Sequence, residues 1–166
     1  MRFIRAGLVA VLVGVGWTVT AAAGKPRCRP TPAQVVVEGF MPVVGEGPVY
    51  ATLFSTGPVP FRHPGDTWGA AKVLWIGDPA YGGTVVVRGR RTDAPGDVRF
   101  DHKGRLQPSL RLTTLDIARG SWVGSAAGWH DWPSAVRVKR SGCYELTVRT
   151  SEGVDRIVFR AERRER

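Results

Sequence analysis

Apolar and polar residues alternate with a period of two along several stretches of the chain, most clearly near its C-terminus. Two such stretches flank the sequence Ser-Glu-Gly at 151–153, and their apolar positions are Tyr144, Leu146, Val148, Ile157, Phe159 and Ala161. Alternation at this period predicts strands that direct one face to a core and the other to water. The short turn between them makes this pair of stretches a predicted β-hairpin.

Short runs rich in Val, Ile, Thr and aromatic residues recur along the rest of the chain, separated by Gly, Pro and Asp clusters. The predicted strands are Gln34–Val37, Val49–Ser55, Ala71–Ile76, Thr84–Arg90, Val98–Asp101, Leu110–Leu115, Ala135–Lys139, Cys143–Thr150 and Val154–Ala161. No segment longer than about ten residues keeps the spacing of an amphipathic helix. The pattern predicts an all-β protein, an antiparallel immunoglobulin-like β-sandwich of about seven to nine strands.

The first 23 residues have the three parts of a secretory signal peptide. Arg2 and Arg5 precede a largely apolar stretch at 6–19, and Ala21 and Ala23 supply the small residues of a cleavage site. Cleavage after Ala23 would release an exported chain. A secreted or cell-envelope location is therefore predicted.

An uncleaved membrane anchor is the alternative for the same segment. The apolar stretch is short and interrupted by Gly7, Gly14 and Gly16, whereas a spanning helix needs about 20 apolar residues. Lipid attachment at Cys28 is disfavoured, because Lys, Pro and Arg precede it in place of small residues. Membrane contact is therefore expected only through an uncleaved leader.

Three further segments follow the leader. Residues 24–33 are a Pro-rich arm, residues 34–162 the predicted sandwich domain, and residues 163–166 a charged tail. The chain is basic, with 24 Lys and Arg against 14 Asp and Glu, and 20 of the basic residues are Arg. Hydrophobic residues make up 43% of the chain, which is enough for a packed core and argues against disorder.

The sequence Ser-Gly-Cys-Tyr-Glu-Leu-Thr-Val at 141–148 resembles the penultimate strand of immunoglobulin-like and fibronectin-like modules, in which a Gly-x-Tyr corner opens the strand. The resemblance implies that the Tyr144 hydroxyl bonds a nearby backbone group and fixes the corner. Antibody domains place a cysteine two residues after this tyrosine, whereas Cys143 precedes it. The usual inter-sheet disulfide is therefore not implied.

A wider likeness extends from Lys72 to Ala161. The chain is similar there to a group of uncharacterised secreted bacterial β-sandwich proteins, and the motifs that carry the likeness are Tyr81-Gly82-Gly83, Arg88-Gly89-Arg90, Trp132-Pro133-Ser134 and Gly142-Cys143-Tyr144. The likeness implies a fold and carries no established activity.

Both cysteines follow the predicted cleavage site, and an oxidising compartment favours their pairing. We predict a Cys28–Cys143 disulfide that ties the arm to the sandwich. Two free thiols are the alternative. By alternation Cys143 lies opposite Tyr144, on the outer face or at a strand end.

The sequence contains no motif for catalysis or cofactor binding. Gly and Ser do not have the Gly-x-Ser-x-Gly spacing of a nucleophile elbow. A triad of Ser134, His130 and either Asp116 or Asp131 is the alternative, that of a secreted serine-type hydrolase. The histidines lack partners at metal-ligand spacing, and no phosphate-binding glycine loop is present. The prediction is a protein that is not an enzyme and has no cofactor or metal.

Tryptophans offer one candidate ligand surface. A Gly-rich segment at 120–133 is predicted to be a long loop and contains Trp122, Trp129 and Trp132. Exposed indole rings on a β-sandwich stack on sugar rings, which predicts carbohydrate binding. The alternative is a lid of these rings over one end of the sandwich, because exposed tryptophans are unfavourable. Trp75 lies in an apolar run and is predicted to be core.

Arginines offer a second candidate surface. Arg149, Arg156 and Arg160 share the outer parity of the last hairpin, and Arg137 and Lys139 stand in the same relation on the preceding strand. Such a positive face attracts polyanions such as an envelope polymer, anionic lipid or nucleic acid. A solvated face that protects a sheet edge is the simpler interpretation, because acidic residues are interspersed. No recognised nucleic-acid motif is present.

These features predict a non-catalytic secreted or cell-envelope module that acts by surface binding. Its expected partner is a cell-wall glycan or an anionic envelope polymer, and no motif identifies the partner more closely.

Overall fold

The computed structural model describes residues 28–52, 57–61, 68–113 and 128–163. Within these ranges the chain forms ten strands and no helix, so the predicted all-β class is confirmed. The strands are β1 (Val49–Ala51), β2 (Val59–Phe61), β3 (Gly69–Gly77), β4 (Val85–Arg91), β5 (Arg99–His102), β6 (Arg105–Gln107), β7 (Ser109–Leu112), β8 (His130–Val138), β9 (Gly142–Arg149) and β10 (Val154–Arg163). The predicted signal peptide at 1–23 lies outside the described residues, as do the last three residues of the charged tail predicted at 163–166. The first residue of that tail, Arg163, is instead the last residue of β10. The part of the chain that is described contains no helix of the length and apolarity that a membrane span requires.

The strands form two five-stranded sheets that pack face to face. The first sheet has the order β1-β3-β8-β5-β6 and the second the order β2-β10-β9-β4-β7. Neighbouring strands are antiparallel except β2 and β10, which are parallel. The predicted β-sandwich is therefore confirmed. The strand count exceeds the predicted seven to nine because β2 and β6 have only three residues each, too few to show alternation.

Large side chains from both sheets fill the space between them. Trp75 on β3 is fully buried, as predicted, and its Nε1 donates to the Ser134 hydroxyl oxygen at 2.9 Å. From the second sheet, Tyr144 and Phe159 stack with ring centroids 5.5 Å apart. Burial of rings of this size contributes much of the stability of a sandwich core.

Strand β8 begins at His130, inside the segment that the sequence predicts to be a loop. The start of this strand is not predicted from the sequence, because glycines precede it and because Pro133 is a residue type usually excluded from central strands. Pro133 pairs with Leu74 on β3. The Leu74 amide donates to the Thr52 hydroxyl and the Leu74 carbonyl accepts from the Thr52 amide, so both backbone groups of Leu74 point away from β8. The β5 ladder ends at the Asp101–Ala135 pair, so a proline at 133 removes no ladder hydrogen bond.

The described part of the predicted arm, residues 28–33, is attached along the edge of β10, and residues 24–27 lie outside the described residues. The predicted Cys28–Cys143 disulfide is present, with Cα atoms 5.5 Å apart. Beyond it the Thr31 amide donates to the Val158 carbonyl at 2.9 Å, and the Val158 amide donates to the Thr31 hydroxyl at 2.8 Å. The arm therefore covers an edge of β10 that β2 does not reach.

Residues 34–44 lie against the outer face of the first sheet. Val37, Val43 and Ile76 form a small apolar cluster there, separate from the main core. The predicted strand Gln34–Val37 is replaced by a single bridge between Gln34 and Val43. Because this segment packs on the first sheet, part of that sheet's outer face is covered.

Candidate functional site

Six exposed arginines occupy the outer face of the second sheet. They come from four adjacent strands and are Arg88 and Arg90 on β4, Arg111 on β7, Arg149 on β9, and Arg156 and Arg160 on β10. On each strand the arginines alternate with residues whose side chains are buried in the core, so the arginine side chains lie on the opposite, outer face. These buried residues include Val87, Leu110, Val148 and Ile157. We call this surface the arginine face.

The register of the ladders places the arginines in rows across the sheet. In one row Val86 pairs with both Arg111 and Arg149. In the next row Thr147 pairs with both Arg88 and Arg156. The arginines of the two rows are therefore staggered, each one strand away from the next.

Two of the six arginines have acidic partners. The Arg90 Nη2 lies 3.1 Å from Glu145 Oε1, and the Arg160 Nε lies 3.0 Å from Glu162 Oε1. Arg88, Arg111, Arg149 and Arg156 make no ion pair or side-chain hydrogen bond with any described residue. The face therefore carries four uncompensated positive charges.

The sequence prediction of which basic side chains share this face is partly correct. Arg149, Arg156 and Arg160 share one face, as predicted. The prediction that Arg137 and Lys139 extend it is wrong, because β8 belongs to the first sheet and the link from β8 to β9 crosses the sandwich. Arg137 instead bonds Asp101 at 2.6 Å, and the Lys139 ammonium lies 4.7 Å from the Trp68 ring centroid.

The residues that the prediction missed are Arg88, Arg90 and Arg111. The alternation of apolar and polar residues along Val85–Arg91 is enough to place Arg88 and Arg90 on a polar face of that strand. What joins them to the last hairpin is the pairing of β4 with β9, and these strands are more than 50 residues apart in the chain. That long-range pairing has no local signal.

The tryptophan surface is not assembled as predicted. Trp132 is fully buried on β8, and its Nε1 donates to the Thr113 carbonyl at 2.8 Å. The prediction that Trp132 lies on an exposed ligand surface is therefore wrong: the residue is part of the core. Trp129 is half-buried, with its ring centroid 6.2 Å from that of Tyr50. Trp122 lies outside the described residues.

The hydrolase alternative requires Ser134 and His130 to meet. Both lie on β8, four residues apart, so their Cα atoms are about 13 Å apart in an extended strand. Ser134 is buried and its hydroxyl already accepts the Trp75 indole hydrogen. Asp131 has the opposite parity on the same strand, and Asp116 lies outside the described residues. These residues do not form the proposed triad.

A negatively charged cleft opens at one end of the sandwich. Glu46, Asp78, Glu152 and Asp155 line it together with Tyr50, and its volume is about 550 Å³. Burial raises the pKa of the Tyr50 hydroxyl above its usual value, and the carboxylates of Asp78 and Asp155 raise the pKa further. The cleft therefore has the opposite potential to the arginine face.

The corner that opens β9 is fixed by hydrogen bonds. The Tyr144 hydroxyl donates to the Arg140 carbonyl at 2.6 Å, the kind of bond that the resemblance implies. Beside it Arg91 bonds Asp93 at 2.6 Å and the Ser141 carbonyl at 3.0 Å. The hydrogen bond from Arg91 holds the pKa of the Asp93 carboxyl below its usual value.

We expect Asp93→Asn to reduce the free energy of unfolding by on the order of 1 kcal/mol at pH 7. Because the Asp93 pKa is lowered in the folded state, its contribution is complete above the unfolded pKa of about 4 and is lost as the pH falls through the folded pKa. Urea unfolding of the parent and the variant at pH 7 and pH 3 measures this. An equal difference at both pH values would contradict the assignment.

The chain matches no protein-family model, no curated protein and no solved structure. Among the described residues no group of three His, Cys, Asp or Glu side chains is arranged to hold a metal ion.

Proposed function

We propose that the protein is a non-catalytic binding module of the cell envelope or extracellular space, and that it holds an anionic polymer on its arginine face. The observation that carries this proposal is a set of four exposed arginines on one sheet face that have no acidic partner in the described part of the chain: Arg88, Arg111, Arg149 and Arg156. An anionic ligand would relieve the repulsion among these charges and gain charge-assisted hydrogen bonds.

Edge protection does not account for this arrangement. Charges that prevent edge-to-edge aggregation are needed on edge strands. Arg111 lies on the edge strand β7, and Arg156 lies on the stretch of β10 that β2 does not reach. Arg88 and Arg149 lie on β4 and β9, which have neighbours on both sides. Their charges face outward from the middle of the sheet.

The proposed location is supported by covalent chemistry. A Cys28–Cys143 disulfide is compatible with an oxidising compartment, and the first 23 residues have the composition of a secretory signal. Carbohydrate stacking is less favoured as the binding mode, because Trp132 is buried and Trp129 is half-buried against Tyr50.

Heparin affinity tests the proposal. We expect the parent protein to bind a heparin column and the double variant Arg88→Gln/Arg149→Gln to bind roughly tenfold more weakly. The matched control is Lys72→Gln/Arg105→Gln, which removes the same charge from the first sheet. Elution of the two variants at the same salt concentration, or passage of the parent through the column at low salt, would contradict the proposal.

A further inference from the structure

The four unpartnered arginines form a zigzag that runs across the strands of the second sheet. In strand order the zigzag passes from Arg111 on β7 to Arg88 on β4, Arg149 on β9 and Arg156 on β10. Adjacent strands lie about 4.8 Å apart and alternate residues about 6.7 Å apart, so successive Cα atoms of the zigzag are about 8 Å apart. The backbone positions of the four arginines are thus regularly spaced across the sheet.

Residues between these arginines are small. Val86, Val154, Thr147 and Ser109 fill the remaining positions of the same two rows. No aromatic side chain among the described residues stands on this part of the face. Recognition of bases by single-strand binders depends on aromatic stacking, and sugar recognition on a β-sandwich would depend on it in the same way. The face offers neither kind of platform.

The following assignment of the ligand rests on the proposed function, the binding of an anionic polymer to the arginine face. We propose that the ligand is a single-chain phosphodiester polymer that lies across the strands and contacts Arg111, Arg88, Arg149 and Arg156 in that order. Each guanidinium donates a bidentate pair of hydrogen bonds to one phosphate. The protein does not recognise the groups that link the phosphates. A polyol phosphate has this chemistry.

The direction in which the ligand lies follows from which arginines are neutralised by glutamates. Along the strands the face continues to Arg90 and Arg160, but Glu145 and Glu162 pair with them. A polyanion that followed the strands would pass these two carboxylates. Across the strands the zigzag contains no acidic residue.

Fluorescein-labelled oligomers of propanediol phosphate, with two to eight phosphates, test the assignment by anisotropy. We expect affinity to rise steeply up to about four phosphates and slowly thereafter. For four contacts the slope of log K against log salt is expected to be about −2.8, which is about a 50-fold loss between 50 and 200 mM salt. Arg111→Gln/Arg156→Gln should reduce the slope to about −1.4.

Three comparisons decide the result. The control Arg90→Gln/Arg160→Gln should leave the slope within about 0.3 of the parent value, and an equal loss in both variants would overturn the cross-strand direction. Oligothymidylate of equal phosphate number should bind within threefold of the base-free oligomer, and tenfold tighter binding would overturn recognition by charge alone. Arginine-dependent heparin retention without binding of any phosphate oligomer would overturn this assignment and leave the proposed function standing, whereas loss of both would overturn both.

Discussion

Replacement of both Cys28 and Cys143 by serine is expected to lower the free energy of unfolding by about 4 kcal/mol. The disulfide joins residues separated by 115 positions, so its loss releases a long loop in the unfolded chain, and the chain-entropy term is large for such loops. A change of this size corresponds to a decrease in Tm of roughly 10 °C for a domain of this length.

The same substitution is expected to release the arm from β10. The Val158 amide donates to the Thr31 hydroxyl, and the disulfide holds this contact in place from three residues away. Urea unfolding measures the stability change, and hydrogen exchange at the Val158 amide measures the release. A loss below 1 kcal/mol with a Val158 amide that remains protected would show that the arm is held without the disulfide.

Truncation of Trp132 to alanine is expected to lower the free energy of unfolding by about 3–5 kcal/mol. Its ring is fully buried between the sheets, and removal of the indole also breaks the hydrogen bond from its Nε1 to the Thr113 carbonyl. Trp129→Ala is the matched control, because Trp129 is half-buried against Tyr50, and we expect it to cost less than about 2 kcal/mol.

Thermal and urea unfolding of both variants distinguish a core residue from a ligand-binding one. If Trp132 served as a sugar-stacking side chain, its truncation would leave stability unchanged and would abolish binding to polysaccharides. Equal stability of the Trp132→Ala variant and the parent would therefore contradict the structural role assigned here.

The elements that could be predicted are those whose pattern is local. The β9–β10 hairpin follows from alternation of Tyr144, Leu146 and Val148 with polar residues, and the structure pairs these strands over eight positions. The start of β8 could not be predicted, because Pro133 and the preceding glycines are typical of loops. Strands β2 and β6 are too short for a periodicity to appear.

The candidate site was predictable only as far as one hairpin extends. Parity along β9 and β10 correctly places Arg149, Arg156 and Arg160 on one face. Which sheet a strand joins depends on long-range pairing, which local sequence does not encode. For this reason the sequence wrongly assigns Arg137 to the face and does not indicate Arg111. Ion pairs such as Arg90–Glu145, which decide which arginines are free to bind, depend on the same pairing.

The acidic cleft and the arginine face give the molecule opposite potentials at two neighbouring places. The cleft of Glu46, Asp78, Glu152 and Asp155 repels polyanions, and it adjoins the arginine face at the turn between β9 and β10. A polyanion on the arginine face is therefore expected to avoid this turn, which confines it to the strands themselves.

Binding of an anionic polymer to the arginine face can be measured by an NMR titration of the arginine Nε–Hε signals with an eight-phosphate propanediol oligomer. We expect the signals of Arg88, Arg111, Arg149 and Arg156 to shift together with one affinity, while those of Arg99 and Arg137 on the first sheet remain in place. Equal shifts of arginines on both sheets, or no shift on the second sheet, would contradict binding at the arginine face.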